Sequence, residues 1–226
     1  MTTPITKLPK PEAESYKDQR KLFLVPAYSM SPDVPKEGLE LLERYWSEVR
    51  DHVYGLERSL GKVSHVYHEG VFVGGDEGRR LLDGVNPTAS SFLRAISSGE
   101  AKLEATEDKA LLEESSDWQR CLSIGIGSQK VMSMVMEGYQ QATKGRFDHI
   151  AKKIDETLAE RESGVLFIRD GHSVQFAGDI RVFYVAPPSL DALKNWISDH
   201  FRAIASSLGK EEPVLQEDES DSTEDD

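Results

Sequence analysis

The chain has 226 residues, 38% of them apolar, which is enough for one sizeable core and ordinary for a globular protein. Its 40 acidic and 27 basic residues give a formal charge of −13, and no Lys/Arg cluster stands ready to release counterions from a polynucleotide, so nucleic acid is not an expected partner. The one cysteine, Cys121, excludes an intrachain disulfide framework and a cysteine metal cage and fits a reducing cytoplasm. No apolar run approaches the roughly 20 residues of a membrane span, and no signal-peptide core is read at the N-terminus, so no membrane association is expected.

Residues 1–20 carry Pro4, Pro9 and Pro11 and are read as a flexible arm before a single domain over 21–209. Residues 210–226 are read as a disordered acidic tail. From Glu211 to Asp226 there are nine acidic residues and no Lys or Arg; without those nine charges the rest of the chain carries about −4. Within the domain, residues 22–28 form an apolar run bounded by proline, the pattern of a buried strand. Leu39, Leu42, Tyr45, Trp46, Val49, Val53 and Leu56 then fall at helical spacing, with Asp33 as a candidate cap and Gly61 just beyond the end. A second strand over 63–67 completes a βαβ unit, which favours parallel pairing and a right-handed crossover.

The stretch GGDEG at 74–78 lacks the Lys and Ser/Thr of a phosphate loop, and its acids would repel phosphate, so it reads as a turn before a helix. A short helix is expected over 90–98, then a short strand near 102–104 feeding a helix capped by Thr106 or Asp108. Glu104, Glu107 and Asp108 are read as capping and solvated groups rather than ligands of a divalent cation. A helical region follows over 118–145, in which Met132, Met134 and Met136 read as adaptable core. The helix after it holds an oddity: the apolar sector containing Val135, Tyr139, Ala142, Ile150 and Ile154 also includes Arg146. Either that guanidinium and the neighbouring Lys153 reach out to solvent, or Arg146 finds an anionic partner in the core.

Residues 164–168, GVLFI, form a buried strand that turns polar at Arg169-Asp170-Gly171-His172, and open α/β sheets place ligands at such carboxyl ends. A further strand over 181–186 and a last helix with Leu190, Leu193, Trp196, Ile197 and Phe201 on its apolar face complete the domain. The fold class expected is α/β, with a mainly parallel sheet of four to five strands and helices on both faces.

The Arg146 helix, the GVLFI strand and Gly171-His172 together resemble the closing segment of the TraB/PrgY and GumN/Tiki group, taken to be hydrolases. That segment has an Arg-bearing helix followed by an apolar strand ending in a Gly-x-x-His motif. The group also has an acid at the end of its second strand, where this chain has Tyr67-His68-Glu69-Gly70. The resemblance implies that Glu69, Arg146 and His172 converge at one end of the sheet as a catalytic centre, with His68 or Asp170 in support. Glu69 and His172 would then be ligands of a divalent metal or share acid/base work, and Arg146 would stabilise an anion. The chain departs from the group at its first strand, where Pro26-Ala27-Tyr28-Ser29 replaces a Gly-Thr-x-His motif, and in the glycine position before His172. VYHEG followed by ATEDKALLEE is also similar to a set of bacterial proteins of unassigned function.

Two functional expectations follow. One is a cytoplasmic, metal-assisted hydrolase with its site at the strand ends. The other is a non-catalytic binding or adaptor protein on a degenerate TraB-like fold, its acidic tail engaging a basic partner or keeping it soluble. The partner is a small molecule or a protein, and the oligomeric state is left open.

Overall fold

The computed structural model describes residues 13–208; the acidic tail and the first twelve residues lie outside them. The strands are β1 (Arg20–Pro26), β2 (Val63–His68), β3 (Lys102–Leu103), β4 (Ser163–Ile168) and β5 (Ile180–Tyr184). The helices are α1 (Lys36–Leu60), α2 (Gly75–Val85), α3 (Ser90–Ser97), α4 (Lys109–Ser123), α5 (Gln129–Thr157) and α6 (Ser189–Leu208). All five strands run parallel in the order β3-β2-β4-β1-β5, so the fold is α/β as the sequence predicts.

Inner strands must be apolar on both faces, and β1 and β4 are buried along nearly their whole length. Edge strand β5 is largely exposed after Ile180, with Val182 and Tyr184 open to solvent. One face of the sheet packs Phe23, Val25, Val66, Val165 and Phe167 under α1, α3 and α6. The other packs Leu22, Leu24, Tyr67, Leu166 and Ile168 under Phe147, Ile150 and Ile154 of α5 and Leu158 just beyond its end. The connection from β4 to β5 holds no helix; Val174 and Ile180 seal that second face instead. Connections leaving β2 and β4 therefore pass to opposite faces, which opens a crevice at the carboxyl edge of the sheet. Among the described residues no helix is long and apolar enough to cross a membrane.

Four expectations need correction. The fold begins before residue 21, because a 3-10 turn at Ala13–Tyr16 lays the Tyr16 ring edge-on to Phe183, with centroids 5.2 Å apart. Asp33 does not cap α1; the cap position is Pro35, and Ser31 Oγ and Asp33 Oδ2 pair at 3.2 Å. Helix α5 starts at Gln129 rather than near Gly145, capped by Ser128, and runs through that glycine without a break. Its methionines are not core: Met134 is 60% and Met136 42% exposed, because before Phe147 only Val135, Ala142 and Arg146 of this helix are buried.

Candidate functional site

Glu69 ends up at the sheet's edge because β2 stops there. Its N–H donates to Phe167 O (2.9 Å), the last rung toward β4, and Gly70 then turns with φ +88°, a left-handed conformation that glycine adopts without strain. The Glu69 carboxylate reaches across to the next strand end. Oε2 accepts from the Arg169 N–H at 2.8 Å and Oε1 from Arg169 Nε at 2.5 Å, with Arg169 Nη2 also on Oε1. Gly171 repeats the turn after β4 with φ +76°.

Arg146 answers the oddity of its helix. It is 4% exposed and pairs with Glu107, which is itself 3% exposed; Nε meets Oε2 at 3.2 Å and Nη2 meets Oε1. Nη2 also reaches Glu69 Oε1 at 3.2 Å, and Nη1 touches Ser115 Oγ at 3.5 Å. Glu107 Oε1 accepts in addition from the Gly70 N–H at 3.2 Å. Two guanidiniums and two carboxylates thus form one chain, Glu107–Arg146–Glu69–Arg169, whose charges cancel. Burial alone would raise the Glu69 pKa, but its bonds to Arg169 and the charges of both arginines hold it below the ordinary carboxylate range. Arg169, though desolvated, is pushed up by Glu69, so the pair stays ionised.

This network forms one wall of a cleft of about 360 Å³. Ala27, Ser29, Val85 and Asn86 border it on one side of the sheet, and Leu112, Ser115, Ser116 and Gln119 of α4 on the other, with His68, Glu69, Gly70, Arg146 and Arg169 between. The volume lies at the lower end of the roughly 300–1,000 Å³ usual for small-molecule sites. His68 is 2% exposed and lies over the Phe167 ring, centroids 6.0 Å apart. Its Nδ1 is 2.5 Å from Glu69 O, and a carbonyl can only accept, so Nδ1 carries the proton and Nε2 presents a lone pair. Nε2 is closed off from solvent and, among the described residues, has no hydrogen-bond partner. Burial pushes the His68 pKa down to about 4 against the pull of Glu69, so the ring is neutral at physiological pH.

The structure brings Glu69 and Arg146 together and adds His68, but places His172 elsewhere. His172 lines a recess of about 80 Å³ with Asp170, Gly171 and Tyr184, and Arg169 borders both spaces. Its Nδ1 accepts the Val174 N–H at 3.2 Å, and burial lowers its pKa against the opposing charges of Glu69 and Asp170. Asp170 is held by Lys194 at 2.7 Å and Tyr28 OH at 3.2 Å, away from the cleft. A metal shared by Glu69 and His172 does not fit this arrangement. Both Glu69 oxygens already accept from arginine, and among the described residues no group of three or more His, Cys, Asp or Glu is placed to hold a metal ion.

Sequence reasoning missed the roles of Glu107, Arg169 and Ser115. Glu107 and Glu104 read as solvated acids at a helix start, yet both are buried: Glu104 Oε1 meets His65 Nδ1 and Lys102 Nζ, each at 2.9 Å. Asp108 is the cap of α4, accepting from the Leu111 N–H at 3.0 Å, while Thr106 Oγ1 instead accepts from the His68 N–H at 3.0 Å. The signal for Glu107 was Arg146 itself, since an arginine on an apolar helix face demands an acid. Comparison with protein families, curated proteins and solved structures finds no match for this chain.

Proposed function

We propose that this is a small-molecule-binding protein whose site is the cleft between the carboxyl ends of β2 and β4, and that the ligand is polar. The observation that carries the reading is a metabolite-sized cleft at the carboxyl ends of β2 and β4 whose wall holds the partly exposed Arg169 guanidinium beside Ser29 and Ser116. Binding is favoured over metal-assisted hydrolysis because Glu69 is saturated by arginine donors. Among the described residues no serine hydroxyl is hydrogen-bonded to an imidazole, so nucleophilic catalysis gains no support either. The resemblance to the TraB/PrgY and GumN/Tiki group is kept as a proposal about the fold's ancestry, with a degenerate rather than an active centre. The free thiol of half-buried Cys121 suits a reducing compartment, and the cytoplasm is the location we propose.

The test is a thermal-shift screen of polar metabolites against the full chain and a Ser116→Trp variant. Ser116 is half-buried on α4 and lines the cleft, so the indole fills the space without entering the core. Ligands that stabilise the wild type and lose their effect in the variant support the reading. Ligands that stabilise both proteins equally contradict it.

A further inference from the structure

We infer that the tip of the α4–α5 hairpin is a docking surface for an anionic lipid bilayer, dipping end-on into its headgroup region. This second site lies apart from the cleft and goes beyond the reading above. From Trp118 to Met136 the chain carries Arg120 and Lys130 and no acid, although 40 of its 226 residues are acidic. That stretch is the end of α4, the loop at 124–128 and the first two turns of α5. It also holds four of the nine large apolar side chains exposed among the described residues: Ile124 (74%), Val131 (46%), Met134 (60%) and Met136 (42%). Single exposed apolar groups are ordinary, whereas a cluster of them rimmed by charge marks an interaction surface.

The fold carries this patch away from the acidic body. On α4 only Ser115 is buried, and on α5 before Arg146 only Val135 and Ala142, so the hairpin leans chiefly on itself. The Trp118 ring lies so close over Gly138 that a Cβ there would stand 2.5 Å from it, which keeps the two helices in tight contact. At 1.5 Å per residue the nearest acids, Asp117 and Glu137, sit roughly 9–12 Å behind the helix ends. That exceeds the Debye length of about 8 Å at physiological salt, so the tip presents its own positive charge rather than the charge of the whole chain. Arg120 pairs with Asp117 at 2.8 Å, but both side chains are exposed, and such a pair is weak enough for the guanidinium to turn to a lipid phosphate.

The arrangement selects a fluid surface over a second protein. Met134 and Met136 are two residues apart, about 200° around α5, so their exposed side chains stand on opposite flanks and no single partner face covers both. A medium that surrounds the tip does. A second copy is disfavoured further, because tip-to-tip contact would set Arg120 and Lys130 against their counterparts. A dip of roughly 10 Å, the depth reached by interfacial helices, brings Ile124 to the acyl boundary, sets the two basic groups among the phosphates and takes in both methionines. Such a contact needs no spanning helix and is compatible with the lack of one among the described residues.

The test is co-sedimentation of the full chain with vesicles of phosphatidylcholine alone and of phosphatidylcholine with about 30% phosphatidylserine. The anionic vesicles should bind the wild type about ten-fold more tightly than the neutral ones, and high salt should remove that preference. Ile124→Asp should abolish binding and Ile124→Leu should keep it; since Ile124 is exposed, both variants should unfold at the wild-type urea midpoint. Equal binding to both vesicle types, no binding to either, or binding by Ile124→Asp equal to the wild type would overturn the inference. So would a concentration-dependent dimer in sedimentation equilibrium that Ile124→Asp breaks, which would assign the tip to a second copy. Each of these outcomes leaves the cleft and its Ser116→Trp test untouched.

Discussion

The two ends of the sheet bury charge in different ways. At the amino end, Arg20 donates to Asp155 O (2.9 Å) and Leu158 O (3.2 Å) and pairs with Asp155 and Asp179 at 2.7 Å each. Lys21 beside it is 1% exposed, and its ammonium meets three carbonyls, of Gln19 (3.0 Å), Arg161 (3.1 Å) and Tyr16 (3.5 Å). His65 has a carboxylate oxygen on each ring nitrogen, Glu104 at 2.9 Å and Glu162 at 3.1 Å. These bonds tie the end of α5 and the loop before β4 to the strands, and among the described residues Ser163 Oγ at the start of β4 is the hydroxyl there left without a partner. At the carboxyl end Glu107, Arg146 and Glu69 are buried more deeply than Asp155 and Asp179, and a cleft bordered by the partly exposed Arg169 lies beside them. Buried charge alone therefore does not mark a site; its place beside a cleft at the carboxyl ends of the strands does.

The largest test of that contrast is Arg146→Met. It strands the Glu107 carboxylate, whose side chain is fully buried, and should cost about 3–5 kcal/mol in urea unfolding. A cost near zero would mean that Glu107 escapes to solvent and that the network is not built as described.

The next effect is pH-dependent. The unfolded chain protonates His68 near its ordinary 6.5, and the folded chain only near 4. Between those values the unfolded state binds more protons, so stability falls as pH falls, by roughly 3 kcal/mol across the window, and His68 contributes no slope above it. The carboxylate of Glu69, held low by Arg169 and Arg146, adds a loss in more acidic solution, as pH drops from its unfolded value through its folded one. Urea midpoints measured from pH 7 to 4 should slope less for His68→Phe than for the wild type. Parallel curves would show the ring to be solvated.

The smallest effect is expected at the amino end. Lys21→Met leaves buried carbonyls without their donor and should cost about 1–3 kcal/mol, yet leave ligand binding at the cleft unchanged. If it weakened binding as much as Arg169→Met, the two ends would not be separable.

Much of the fold was legible in the chain. Apolar runs such as LFLV and GVLFI mark strands covered on both sides, and turns at Gly61, Gly70 and Gly171 separate the elements. Strand order was not legible, because β1 and β4 are apolar throughout and nothing in their pattern says that β4 lies between β1 and β2. Arg146 was the clearest site signal. Its partner was hidden because Glu107 is 39 residues away and looks like a surface acid at a helix start. His172 misled, since a Gly-His turn after a buried strand looks available, while here its Nδ1 serves the turn itself through Val174. The methionines of α5 misled for another reason: helical periodicity identifies a face but not which turns lie over the sheet.

The most direct test of the central claim is a crystallographic soak of the full chain with a set of polar fragments. The account predicts density in the cleft, with an acceptor atom on Arg169. Fragments bound only at other surfaces, with the cleft bare at concentrations that saturate them, would contradict it.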